Sequence, residues 1–173
     1  FARMPGIKKT VQEVRPMLAE LVALYQQAHP DLEFRLACEP VAPFAFDLPQ
    51  IKRVVVNLLD NAVAVLGQGG RVEVRCLREE EEAVIVVEDN GPGVPESERQ
   101  RLFDPYYSTK KSGTGLGLAI ASTIVADHGG TITMENRTPH GARFVVRLPF
   151  EMPDAADAPA SSRGGHEETD PDY

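Results

Sequence analysis

The chain has 173 residues, 42% hydrophobic and 25% charged, enough for one globular domain with a real core. Its apolar runs reach only five or six residues, too short to span a membrane, and its opening FARMPGIKK has no apolar stretch for a signal peptide. The net charge of -8 argues against a nucleic-acid binder, and Cys38 and Cys76 match neither a disulfide framework nor a zinc pattern, which fits a reducing compartment.

In chain order, residues 1–9 read as the end of an upstream segment and residues 10–150 as the folded body. Pro16 suits the first turn of a helix, and Met17, Leu18, Leu21, Val22, Leu24 and Tyr25 give it an apolar stripe to about His29, where Pro30 stops it. Residues 33–38 (EFRLAC) and 42–47 (APFAFD) read as two short strands around the turn Glu39-Pro40. Asp47, with Gln50 three residues on, is a helix N-cap. The helix predicted from Leu48 to Leu66 has core positions Ile51, Val54, Val55, Leu58, Ala62, Val65 and Leu66, and GQGG ends it. A hairpin follows, RVEVRCL (71–77) and AVIVVED (83–89), with Glu79–Glu82 as its solvated turn. Residues 90–112 are rich in Gly, Pro and Ser, long for a compact domain's loop, and suggest a lid. A helix is expected from about Gly115 to His128, then strands at 131–136 and 142–148. Strand pairs with helices between them imply a mixed sheet with helices on one face, an α+β sandwich. The last segment, 151–173, carries -6 of the net charge and few large apolar residues, so it is expected to be an acidic disordered tail.

Three features carry candidate chemistry. Asn57 and Asn61 share a face of the helix VVVNLLDNAVAVL, with Asp60 close by. Asparagine is a poor helix-interior residue. The pair is either a solvated polar stripe or a set of amide oxygens for a hard cation such as Mg²⁺. Asp89-Asn90-Gly91-Pro92-Gly93 ends an apolar strand. It is either a plain turn or a carboxylate placed to accept from an exocyclic amine such as adenine N6, with glycines that let a flat ring approach. Gly113-Thr114-Gly115-Leu116-Gly117-Leu118 opens a helix, with Lys110 and Lys111 before it. Free N–H groups there suit phosphate, although the spacing is neither Walker A nor Rossmann; otherwise it is a flexible loop.

In order and spacing, these motifs resemble the ATP-binding domain of sensor histidine kinases, in the superfamily shared with gyrase, Hsp90 and MutL. The N box is NLLDNA (57–62), the first glycine box DNGPG (89–93), the F box LFDPYYSTK (102–110) and the second glycine box GTGLGLAIA (113–121). The resemblance covers about residues 10–150. The opening FARMP and the stretch HPDLEF further resemble nitrogen-regulation sensor kinases.

The resemblance implies a two-layer α/β sandwich of the Bergerat type, with a mixed, mostly antiparallel sheet, helices on one face and a mobile ATP lid over residues 91–112. It implies ATP and Mg²⁺ as ligands. Asn61 would hold the metal with Asn57 beside it, and Asp89 would recognise adenine, with Gly91 and Gly93 allowing the approach. Phe103 would anchor the lid. Lys110, Gly113, Thr114, Gly115, Leu116 and Gly117 would hold the phosphates, and Asn57, Asn61 and Lys110 are the expected catalytic groups. In the ATP-hydrolysing branch a glutamate stands four residues before the metal asparagine; here it is Asn57, and an amide is no general base at neutral pH.

The family's acceptor histidine lies in a helical hairpin. None of His29, His128, His140 or His166 matches its motif, so the acceptor is expected in a hairpin outside this chain, with a response regulator downstream. Ala64 also stands where a basic residue is often found. The implied function is ATP binding and γ-phosphate donation to that histidine, on the cytoplasmic side of the inner membrane if the whole protein is anchored there. No nucleic-acid partner is expected, and the fragment is expected to be a monomer. Two other readings share these boxes: a serine kinase of the anti-sigma type, and a nucleotide-sensing docking module without catalysis.

Overall fold

The computed structural model describes residues 6–107 and 115–152. Its elements in chain order are β1 (Thr10–Gln12), α1 (Val14–Ala28), β2 (Glu33–Cys38), β3 (Phe44–Phe46), α2 (Leu48–Val65), β4 (Arg71–Glu79), β5 (Glu82–Asp89), α3 (Glu96–Arg99), α4 (Gly117–Asp127), β6 (Thr131–Asn136) and β7 (Ala142–Pro149). Five strands form one sheet in the order β2-β4-β5-β7-β6. Only the β2–β4 contact is parallel in that sheet, so it is mixed and mostly antiparallel, as expected. Helices α1, α2 and α4 pack on one face of it.

Period-two patterning explains how the sheet faces the helices. Val72, Val74 and Cys76 of β4, Ile85 and Val87 of β5, and Phe144, Val146 and Leu148 of β7 are all buried in the main core. Central strand β5 is buried on its other face too: Val84, Val86 and Glu88 are 2%, 4% and 6% exposed. Among the described residues no helix covers that face. Instead Arg75 and Arg143 reach Glu88 from the strands on either side, at 3.4 and 2.8 Å, and Arg147 reaches Glu79. The stems of these arginines cover apolar surface while their heads stay near water.

Helix α2 starts as its sequence dictates. Asp47 Oδ1 accepts from the Gln50 N–H at 3.2 Å, and Pro49 stands in the first turn. Its buried residues are Ile51, Val54, Val55, Leu58, Leu59 and Ala62. Two expectations fail here: Val65 is 37% exposed, and Leu59 takes a place in the core. On α1, Val14 is buried and Leu24 is 56% exposed, because the helix begins at Val14 and its inward stripe runs through positions 14, 17, 18 and 21.

Other differences have local causes. Strands β2 and β3 do not form a hairpin: β3 pairs antiparallel with β1, while β2 runs parallel to β4. Lys8 N–H donates to Asp47 Oδ2 at 2.9 Å and Lys9 pairs with Glu151, so the domain takes up residues just before β1 and just after β7. The register of β2 on β4 sets Cys38 opposite Cys76, with Cα atoms 4.5 Å apart, and the two are joined as a disulfide. This corrects the expectation of unpaired thiols. Helix α4 begins at Gly117 rather than Gly115, whose φ of +73° does not belong in a right-handed helix. The expected lid contains one helical turn, α3, entered from Pro95 with Glu96 and Glu98 at its positive end. The acidic tail from residue 153 on lies outside the described residues. No helix among the described residues is long and apolar enough to cross a membrane.

His128 closes α4. It is 3% exposed, its Nδ1 lies 2.8 Å from the Ile124 carbonyl, and its Nε2 lies 3.1 Å from the Asp47 N–H. Only the neutral Nδ1–H tautomer donates to the carbonyl and accepts from the amide at once. Replacing His128 by Ala leaves the buried Asp47 N–H unsatisfied. The expected loss is about 1–3 kcal/mol of unfolding free energy in urea titrations, with the circular dichroism of the folded state unchanged.

Candidate nucleotide site

The site lies where the end of β5 meets helix α2 and the first turn of α4. Asn57, Asn61 and Val65 stand at successive i+4 positions of α2, so they form one stripe along it. Eight helical steps from Asn57 to Val65 make that stripe about 12 Å long. One end meets α4, where Asn57 Nδ2 donates to the Gly117 carbonyl at 3.0 Å. The other end meets the glycine turn after β5. A methyl placed on Gly91 would touch Val65 and Leu66 at 3.4 Å and Asp89 Oδ1 at 2.9 Å, so only glycine fits without a shift. Asn61 lies between these ends and is half-buried.

Asp89 ends β5, between Val72 of β4 and Ala142 of β7, and is 2% exposed. Its Oδ1 accepts from the Gly91 N–H at 2.8 Å, which curls the turn back on the carboxylate. Asn90 extends the pairing with β4: its Oδ1 accepts from Arg71 N–H at 2.7 Å and its own N–H donates to the Arg71 carbonyl. The result is a buried carboxylate beside the apolar wall of Val65 and Leu66.

The F box packs back on the core. Phe103 meets Phe144 edge to face, with centroids 6.3 Å apart at 88°. Tyr106, at φ +64°, donates its N–H to the Gly115 carbonyl at 3.0 Å. A Cβ on Gly115 would come within 2.5 Å of the Tyr106 backbone. Gly115 therefore serves both the turn and the close approach of the two boxes. Leu116 is the residue just before α4. The expected phosphate contacts Lys110, Gly113 and Thr114, together with Lys111, lie outside the described residues.

The structure thus brings Asn57 and Gly117 together at one end and Asp89 and Gly91 at the other, with Asn61 between them on the α2 stripe. Gly93 sits at φ +78° against Asn136. Asp60 turns away from this stripe and accepts from the Tyr25 hydroxyl of α1. The other histidines within the described residues have structural surroundings: the His29 ring lies 6.0 Å from that of Tyr25, and His140 Nδ1 lies 3.2 Å from the Gly91 carbonyl. Sequence reasoning read Val65 and Leu66 as core; Leu66 does pack against the core, but it missed that both also flank the Gly91 turn. An apolar residue at a helix end gives no signal of which it will be. It also missed the β6–β7 turn, whose contacts with the Asp89 loop join residues far apart in the chain.

Residues 46–152 match the family described as histidine kinase-, DNA gyrase B- and HSP90-like ATPases, and the chain belongs to that family. Among curated relatives it is 36% identical to the nitrogen regulation protein NtrY of Azorhizobium caulinodans, over 94% of this chain and 22% of that protein. The chain thus spans about a fifth of that relative's length. Among solved structures, the catalytic domain of the histidine kinase ThkA superposes with a TM-score of 0.78 at 28% identity, covering 83% of this chain and 97% of that one. Full-length ShkA in complex with AMPPNP superposes with a TM-score of 0.79 at 26% identity, covering 88% of this chain and 33% of that one.

Burial, then the hydrogen bond to Asp60 and its charge, push the Tyr25 phenol well above the ordinary tyrosine value. Below pH about 10, folded and unfolded chains both hold the proton and the bond to Asp60 is intact. As pH rises past that point the unfolded chain ionises first, so stability falls until the folded-state value is passed. Unfolding free energies measured across the alkaline range should decline more steeply in the wild type than in Tyr25→Phe.

Proposed function

We propose that this chain is the ATP-binding catalytic domain of a sensor histidine kinase, which binds Mg-ATP and passes the γ-phosphate to a histidine on a separate helical hairpin. The observation that carries this reading is the α2 stripe, with Asp89 and an apolar wall at one end and the opening of α4 at the other. It spaces a base-recognising carboxylate from a helix N-terminus, which suits an anion. Asp89 would accept from the adenine amine, and Gly91 would leave room for the ring. Gly115, Leu116 and Gly117 would face the phosphates, with Lys110, Gly113 and Thr114 joining them. Phe103 would hold the lid segment to the core, and that lid would become more ordered when nucleotide is bound.

The half-buried amides of Asn57 and Asn61 share a face, and side-chain amide oxygens suit a hard cation that keeps several waters, so these residues fit Mg²⁺. A bound Mg²⁺ would neutralise phosphate charge. In the transfer, a ring nitrogen of the acceptor histidine attacks the γ-phosphorus as its bond to the β-γ bridging oxygen breaks, and ADP leaves. The phosphohistidine would then serve a response regulator. The membrane-proximal cytoplasm is the expected setting of the whole protein.

Asn57 supports transfer rather than hydrolysis. Its amide is no general base, and its Nδ2 is engaged by the Gly117 carbonyl. ATP turnover by the isolated chain should therefore be slow, and a separately made histidine hairpin should gain an acid-labile, base-stable phosphate. Brisk hydrolysis unaffected by Asn61→Ala would count against the reading.

Calorimetric titration with a non-hydrolysable ATP analogue tests the site directly. Binding should strengthen with Mg²⁺ and weaken at least about tenfold in Asp89→Asn, as for loss of a hydrogen bond to a charged group. No binding at millimolar nucleotide would overturn the reading.

A further inference from the structure

The turn between β6 and β7 grips the Asp89 loop at several points, and no part of the proposed function uses it. Asn136 Oδ1 accepts from the Val94 N–H at 2.8 Å, and Asn136 Nδ2 donates to the Val94 carbonyl at 2.8 Å. One side-chain amide thus pairs with both backbone groups of a single residue, as a neighbouring strand would. Arg137 Nη1 donates to the Asp89 carbonyl at 3.1 Å, and its Nε lies 3.2 Å from buried Glu88. Glu88 is itself held by Arg143. A Cβ on Gly141, at φ +117°, would collide with the Asp89 carbonyl, so the turn lies directly against the strand end. These contacts fall on both sides of the Asp89–Gly91 turn. Asn136 fixes where the chain leaves it, and Arg137 fixes where the chain enters.

We propose that Asn136 and Arg137 are positioning residues for base recognition: they hold the loop from Asp89 to Val94 rigid, so that the Asp89 carboxylate keeps the geometry that selects a purine carrying an exocyclic amine. The proposal rests on the assignment of Asp89 to adenine. A rigid turn pays the ordering entropy of the loop before the ligand arrives, which is where preorganisation improves affinity. It also separates Asp89 from whatever the segment beyond Val94 does, because motion there meets the Asn136 bridge first. A loose loop would blunt discrimination by the carboxylate while leaving the phosphate end, on α2 and α4, intact.

The test compares the triphosphates of adenosine and of purine riboside, which lacks the amine, in calorimetric titrations with Mg²⁺. Wild type should prefer ATP. Asn136→Ala and Arg137→Ala should weaken ATP binding about tenfold and purine riboside triphosphate by less than about twofold, so the preference shrinks. A purely structural role would lower both affinities together or neither. Asn136→Asp keeps the acceptor for the Val94 N–H and loses the donor; it should fall between, and it carries the test if the alanine variant does not fold. Backbone amide exchange gives a second readout without nucleotide. The Gly91 and Val94 amides should exchange faster in Asn136→Ala, while amides of α2 stay protected. A wild-type preference retained in full by the variants overturns the positioning role but leaves the nucleotide site standing. A wild type that binds neither triphosphate overturns both.

Discussion

The fastening of α2 to α4 governs the rest of the molecule. Asp47 is its pivot: one carboxylate oxygen caps α2, the other takes the Lys8 amide from the chain entering β1, and its own N–H reaches His128 at the end of α4. At the opposite end of α4, Asn57 from the middle of α2 reaches the Gly117 carbonyl. Helix α4 is thus tied at both ends by polar contacts to the start and the middle of α2, with apolar packing between them. The proposed nucleotide site lies where α4 begins, so the bonds that place α4 on α2 also place one end of that site. Fully satisfied polar contacts in a buried setting specify one arrangement better than apolar packing alone.

The sheet answers a different problem. Its central strand is apolar on both faces, yet among the described residues only one face has helices. The open face is closed by arginines and glutamates of neighbouring strands, arranged around buried Glu88. This network adds little stability where it meets water, but it satisfies Glu88, an acid that central burial would otherwise penalise. It also ends at Arg137, which faces Glu88 on one side and the Asp89 carbonyl on the other. The surface that keeps the sheet covered is therefore continuous with the loop proposed to read the base.

Much of this was legible because it is local. The Asp47–Gln50 cap, the helix stripe that bears Asn57 and Asn61, the hairpin of β4 and β5 and the glycine punctuation all leave marks within a few residues. What stayed hidden was long-range. The pairing of β3 with β1 rather than β2, and the register that sets Cys38 beside Cys76, depend on which strands meet across the fold, and short strands carry no address. Val65 looked like core because it is apolar and helical, and Leu66, just past the helix end, does pack against the core. Their position at the end of α2, next to a glycine with no side chain, also sets them against the Gly91 turn. The Asn136 bridge to Val94 spans 42 residues and involves a side chain that reads, on its own, as an ordinary strand end.

Asn57 shows how a small site constrains its own history. Its amide carries a donor, and the Gly117 carbonyl is what that donor satisfies. A glutamate at this position, the residue of the water-activating branch, has no donor when ionised. Two acceptors would then face each other at the head of α4, and the helix would lose its grip at the end that matters most. The route from phosphate donor to hydrolase is therefore not a single exchange. It needs a new fastening for α4 in the same step, so the amide proposed as a metal ligand is also a ratchet.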